Sequence, residues 1–180
     1  MSSVYDDLYR YTGTNKKVDL FKLLLTNPGF TYIFFFRKCQ NSRYKILKLF
    51  FKIILRILMI FYQFQIPVDT LIGPGFYIGH FGSIVINPKA ILGKNINIAN
   101  GVTIGQENRG KRKGTPVIGD EVWIGTNSVI VGNIKIGNNV LIAPNSYVNF
   151  DVPDNSIVIG NPGKIKPNLE ATKDYINNKV

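Results

Sequence analysis

Isoleucine or valine returns at every sixth position from Ile118 through Ile124, Ile130, Ile136 and Ile142 to Val148, and an earlier run, Ile86, Leu92, Ile98 and Ile104, keeps the same interval. A period of six is neither that of a helix nor that of a flat strand. It predicts a mainly β chain wound as a parallel β-helix, in which three short strands per coil carry the backbone round a triangular prism and each repeated aliphatic points into the axis. Glycine often follows the aliphatic, as in Ile72-Gly73, Ile78-Gly79, Ile104-Gly105, Ile118-Gly119, Ile124-Gly125 and Ile136-Gly137, where a tight corner calls for a residue without Cβ.

Before this run the pattern is helical. Residues 1–64 read as an N-terminal α-helical region broken near Thr12-Gly13-Thr14-Asn15 and Asn27-Pro28-Gly29, both turn-forming clusters. The β-helix is expected over residues 65–167, ending in the closing segment Ile157 to Lys164, with a polar, frayed tail over residues 168–180. Helices at one end of the prism would cover its open strand edge. Between Ile104 and Ile118 the spacing is 14 instead of six, so eight residues must leave the coil. They include Arg109, Lys111, Arg112 and Lys113, an extruded basic loop suited to phosphates or an acidic saccharide; a solvated charge run is the plain alternative.

One domain and an ample core follow from 180 residues with 45% hydrophobic content. The single Cys39 cannot form an internal disulfide, and one cysteine plus one histidine leave no cluster for a metal, so no metal cofactor is expected. No secretory signal is read at Met1 to Asp7, and the expected location is cytoplasmic. The net charge of +11 is uneven: residues 1–65 hold 11 Lys and Arg against 3 acidic residues. Within Tyr44 to Ile60, Lys45, Lys48, Lys52 and Arg56 form one stripe on an otherwise apolar helix. That helix either lies on the inner face of an anionic membrane or packs against neighbouring subunits with its stripe in water. Nucleic acid is not an expected partner, because the basic tract is short and no aromatics are interleaved with it.

His80, the only histidine, lies among glycines in Ile78-Gly79-His80-Phe81-Gly82. Its imidazole is a candidate general base near neutral pH, or a corner residue bonded to backbone.

Residues 66–167 resemble the serine acetyltransferase branch of the hexapeptide-repeat acyltransferases. The resemblance rests on Ile72-Gly73 to Ala90, which aligns His80 with the family's catalytic histidine, on Gly101-Val102-Thr103-Ile104-Gly105 through Pro116, on Val131 to Gly137, and on Gly160-Asn161-Pro162. It implies a left-handed coil, a homotrimer, and an acetyl-CoA site in each groove between subunits. It further implies pantetheine contacts at Gly105, Gly125, Thr126, Ala143 and Pro144, an oxyanion site at the backbone of Gly105 or Gln106, and CoA phosphates near Lys164, Lys166, Arg109 and Lys111. The small corner residues also have a plain role in the fold itself. Trp123 is expected to stack on a ligand or to pack at the trimer interface.

The departures concern the acceptor. Gly79 stands where serine-using members have an aspartate, Gln65 stands where they have the aspartate that orients the histidine, and Gly114-Thr115 replaces an Arg-His pair. Loss of those charges suits neutral hydroxyls better than an amino acid. The N-terminal texture, from Asp7 to Gly13, through Pro28-Gly29-Phe30 and Arg37-Lys38-Cys39 to Gln65-Ile66-Pro67, is similar to shorter relatives linked to capsule and exopolysaccharide synthesis. The expected activity is therefore direct acetyl transfer to a saccharide or glycolipid hydroxyl, with His80 as base and Gln65 as its orienting partner. Serine O-acetylation and a silent trimeric scaffold are the alternatives, and Asp6, Asp7 and Asp19 are unranked acceptor candidates.

Overall fold

The computed structural model describes residues 4–180; Met1, Ser2 and Ser3, on which the reading of a missing secretory signal partly rests, lie outside them. Four helices come first: α1 (Val4–Thr12), α2 (Lys17–Thr26), α3 (Pro28–Asn41) and α4 (Lys45–Tyr62). The breaks fall where the turn clusters predict them. Asn27 caps α3 by accepting the Phe30 N–H at 2.9 Å, and Pro28, which has no N–H to lose, occupies the first turn. Gln63, in the left-handed region at φ 59°, ends α4.

From Phe64 the chain winds as a parallel β-solenoid with three faces. The first face stacks Phe64–Gln65, Ile84–Ile86, Thr103–Gly105, Val129–Val131 and Tyr147–Val148. The second stacks Leu71–Ile72, Ile91–Leu92, Val117–Ile118 and Lys135–Ile136. The third stacks Tyr77–Ile78, Asn97–Ile98, Val122–Ile124, Val140–Ile142 and Ser156–Ile159, and ends in the antiparallel strand Lys164–Pro167.

The period of six becomes axial columns. Ile86, Ile104, Ile130 and Val148 are in register on the first face, and Ile78, Ile98, Ile124, Ile142 and Val158 on the third. All are buried. Corner glycines and corner asparagines divide the work. The glycines stand where coils approach closely: a Cβ on Gly119 would lie 2.8 Å from the Gly137 carbonyl oxygen. The left-handed turns fall mostly to asparagines, Asn95, Asn127, Asn139, Asn145 and Asn155, with Gly75, Gly101 and Glu121 at equivalent corners.

The helical region closes the first coil with side-chain hydrogen bonds. Tyr32 donates to the Ile66 carbonyl, Gln40 to Val68 and Thr70, and Arg37 to Ile72 and Gly73. Arg37 also pairs with Asp7 through Nε–Oδ2 at 2.8 Å and Nη2–Oδ1 at 3.2 Å, and Asp7 accepts the Phe76 N–H. Burial lifts the Asp7 carboxyl above its ordinary range, while Arg37 and the Phe76 N–H pull it back. Unpaired strand groups that would template aggregation are thus satisfied internally.

The frayed tail expected over residues 168–180 is not seen. It runs back along the coils: Thr172 donates to Asn139, Asn97 to the Tyr175 carbonyl, and Asn95 exchanges two bonds with Val180. Ala171 and Ile176 are buried, and Tyr175 lies 4.9 Å from Trp123 between ring centroids. The amides of Asn95 and Asn97 on one coil and of Asn139 two coils on supply the partners that a polar tail needs.

Candidate active site

His80 stands at the corner between the third and first faces. Most coils advance the axial aliphatic by six, whereas Ile78 to Ile86 takes eight, and the extra residues make this corner project. The end of α4 braces it: Gly82 donates to the Tyr62 carbonyl at 3.1 Å and Ile84 to the Gln63 carbonyl at 3.1 Å. Gly82 has φ 116°, a region that glycine enters without strain. The imidazole is exposed, and no hydrogen bond within the chain engages it among the described residues.

The coil ladder runs from this corner down one prism edge. Gly79 donates to Ile98, Ala99 to Ile124, Gly125 to Ile142 and Ala143 to Val158, so Gly79, Ala99, Gly125 and Ala143 stack in one column. Of their successors, Asn100, Thr126 and Pro144 follow one another coil by coil, with Thr126 Oγ1 3.2 Å from Asn100 Oδ1, and His80 stands at the projecting corner of the same edge. Four residues assigned to the acyl donor, Gly125, Thr126, Ala143 and Pro144, therefore share an edge with His80. At roughly 4.8 Å per coil, the Pro144 corner lies three coils, about 14 Å, from His80. Lys164 is in register with Ile159, just past Val158, at the far end of this edge; Lys166 lies further in on the third face, opposite Ile157.

The remaining donor residues lie elsewhere. Gly105 and Gln106 end a first-face strand at its opposite edge, and Gln106 accepts from Asn87 at 3.3 Å. The loop pinches shut where Glu107 and Gly114 exchange backbone bonds of 3.0 Å, and Arg109 and Lys111 are exposed on it. Within one chain His80 and these cations occupy different prism edges, separated by the width of the first face.

Two concavities open around this corner, one lined by His80 itself and one reaching the corner only through Ser83. On the third-face side, a cavity of about 200 Å³ is lined by His80, Gly79, Tyr77, Asn97, Ala99 and Trp123. On the other side, a cleft of about 770 Å³ is lined by Gln65, Ser83, Gln63, Arg56, Met59 and Ile60. Gln65 opens into the second, and no hydrogen bond joins it to His80 within the chain; the first-face register sets Gln65 beside Val85, past the projecting corner. No carboxylate lines either space among the described residues.

Tyr77 and Asn97 were not among the residues predicted to line the site, and Trp123, expected to stack on a ligand or to pack at a trimer interface, lines it with them. They meet because the third face sets them side by side, in register on three coils. Their signal was the position one before the axial isoleucine, where outward side chains fall. Trp123 is in addition covered by Tyr175 of its own chain, 4.9 Å away between ring centroids. The aspartates do not converge here. Asp7 is buried against Arg37, and Asp19 accepts from Thr14. Cys39 is buried in the helical region, its thiol donating to the Lys48 carbonyl, and burial pushes its pKa up.

A three-faced parallel solenoid, capped by helices and bearing one exposed histidine on an edge of small residues, defines a hexapeptide-repeat transferase. The family described as bacterial transferase hexapeptide (six repeats) matches residues 115–149. The serine acetyltransferase of Bacillus subtilis (strain 168) is 33% identical over 147 residues, covering 81% of this chain and 67% of the relative. The crystal structure of Neisseria gonorrhoeae serine acetyltransferase in complex with serine superposes with a TM-score of 0.73 at 32% identity, over 91% of this chain and 67% of that one. That of the Brucella abortus strain S19 enzyme with coenzyme A gives 0.75 at 25%, over 92% and 66%. The chain belongs to the hexapeptide-repeat acyltransferases of the serine acetyltransferase type. It spans about half the length of several curated relatives, 47% for the serine acetyltransferase of Staphylococcus epidermidis, which is 42% identical over 101 residues.

Proposed function

We propose that this protein is an acetyl-CoA-dependent O-acetyltransferase, working as a homotrimer, with His80 as general base and a neutral polyhydroxylated acceptor of the saccharide class. The observation that carries it is the column of Gly79, Ala99, Gly125 and Ala143 running from His80: small residues leave the edge open to an extended thioester arm, and Lys164 waits at its end for phosphate.

In the step itself, His80 takes the hydroxyl proton as the acceptor oxygen attacks the thioester carbonyl carbon. The tetrahedral adduct collapses with cleavage of the carbon–sulfur bond, and the departing thiolate recovers the proton from the imidazolium. Backbone N–H groups at Gly105 or Gln106 stabilise the oxyanion. Because these lie on the other edge of the first face, they and the loop cations Arg109 and Lys111 come from an adjacent subunit. An acyl-enzyme on Cys39 is disfavoured by its burial away from the edge.

Acceptor choice rests on charge. The cavity lined by His80 and the cleft that Ser83 reaches are lined by neutral or cationic groups, Arg56 among them, which offer an ammonium no anionic partner. Gln63, Gln65 and Ser83 instead present amides and a hydroxyl suited to sugar hydroxyls. A lipid-linked saccharide is such an acceptor, and it places the enzyme in the cytoplasm at the inner face of the membrane.

Serine is the second reading, favoured by the names of the relatives and by the serine complex of the Neisseria enzyme. Release of free thiol from acetyl-CoA, by wild type and His80→Ala, separates the readings when L-serine, nucleotide sugars and lipid-linked glycans are offered in parallel. Turnover on a glycan that is lost in His80→Ala supports the proposal. Turnover on serine alone overturns the acceptor class, and silence on every acceptor overturns the activity in favour of a scaffold.

A further inference from the structure

Helix α4 is apolar on two opposite faces. Its inner face packs on α3 and the first coil through Phe51, Leu55, Leu58 and Tyr62. On the outer face Ile46, Leu49, Phe50, Ile53, Ile57 and Ile60 follow helical spacing and are all exposed, Ile46 at 83% and Ile60 at 68%. Nothing among the described residues covers them. A helix apolar all round belongs in a core or a membrane, so an outer face of this size calls for an occupant.

The charges say which. Lys45, Lys52 and Arg56 lie on a stripe bordering the outer face, and α4 contains no acidic residue. A second copy laid face to face would set this stripe against itself if antiparallel and against the apolar Leu47 and Phe61 flank if parallel, whereas an anionic lipid surface accepts both the hydrocarbon and the cations. α2 also exposes Val18, Phe21 and Leu25 beside Lys17 and Lys22, with Asp19, its one acidic residue, held by Thr14. At 18 residues α4 is about 27 Å long, and no helix among the described residues is long and apolar enough to cross a membrane. Lying in the interface is what remains for a basic, two-sided apolar helix.

We propose that α4 docks the protein peripherally on an anionic lipid bilayer, with its outer apolar face in the headgroup–acyl boundary and Lys45, Lys52 and Arg56 on lipid phosphates. Docking does not depend on the identity of the acceptor and is measured without substrate, so its failure leaves the catalytic reading untouched.

The experiment is co-sedimentation of the full chain with vesicles of phosphatidylcholine alone or of equal parts phosphatidylcholine and phosphatidylglycerol. Light scattering and thermal unfolding are read on every variant. Binding to the anionic vesicles is expected, reduced by salt, weakened about fivefold for each of Lys45→Gln, Lys52→Gln and Arg56→Gln, and abolished in Ile46→Asn/Phe50→Asn/Ile53→Asn with folding retained. Absence of binding by folded wild type overturns the proposal, as does binding undiminished in the triple variant. A triple variant that lowers the oligomeric mass in free solution also overturns it, because the face then belongs to a second copy.

Discussion

The Tyr11 hydroxyl accepts the Ile78 N–H at 2.8 Å and donates to the Ile78 carbonyl at 2.9 Å, closing the free edge of the strand that leads into His80. One side chain of α1 thus satisfies both backbone groups two residues before the proposed base. Burial raises the phenol far above its usual pKa, so it stays protonated and able to donate. Tyr11→Phe removes the bond while keeping the ring that stacks 4.2 Å from Tyr77. It is expected to cost about 1–3 kcal/mol of stability by leaving the Ile78 groups unpaired. If the strand shifts, kcat falls by up to about a hundredfold with the KM for acetyl-CoA little changed. Thermal unfolding and steady-state kinetics check the two parts separately.

His80→Ala is expected to lower kcat by about a hundred- to ten-thousand-fold. The side chain is exposed and makes no hydrogen bond within the chain, so the unfolding temperature stays close to that of wild type. A variant that unfolds as well as losing activity would show that His80 holds the corner.

Gly79→Asp tests the acceptor. A Cβ at Gly79 meets only Tyr77 Cε1, at 3.3 Å, and the backbone there is outside the left-handed region. The variant should fold, and its carboxylate beside His80 offers an ammonium a charge-assisted bond of about 1.5–3 kcal/mol. Selectivity, taken as the ratio of kcat/KM for L-serine to that for a glycan, is expected to rise about ten- to a hundredfold. An unchanged ratio would mean that Gly79 does not line the acceptor site.

The Asp7–Arg37 pair ties α1 and α3 to the first coil while both side chains are almost wholly buried. Asp7→Asn leaves a buried guanidinium short of its counter-charge and should cost about 3–5 kcal/mol. Replacing both partners with apolar residues should restore part of that loss, since the desolvation penalty disappears with the pair. Chemical denaturation of the single and double variants measures it.

Arg109→Gln combined with Lys111→Gln should raise the KM for acetyl-CoA with kcat unchanged. Exposed ion pairs are worth about 0.2–1 kcal/mol each, so a rise of several-fold is expected. Added salt should shrink the difference between variant and wild type. An effect on kcat alone would place the loop at the reacting centre instead of at the phosphates.

What the sequence determined by itself is periodic or single. The axial columns, the extruded loop between Ile104 and Ile118, the helix breaks at Asn27-Pro28 and the lone His80 all follow from spacing along the chain, because each coil repeats the same local geometry. Even the projecting corner is visible as eight residues from Ile78 to Ile86. What spacing cannot carry is which edge of the prism each residue reaches. Tyr77, Asn97 and Trp123 line one cavity with His80 only because three coils stack in register. Gln65 and the loop cations miss His80 because the first face stands between or beside them. The polar tail reads as frayed, yet it docks, since Asn95 and Asn97 face it from one coil and Asn139 from another two coils on. Likewise α4 is amphipathic in either of two environments by sequence, and only packing determines which apolar face is left bare. These are long-range pairings, decided by how the coils and helices close on one another, and the hydrophobic period that forms the prism is indifferent to them.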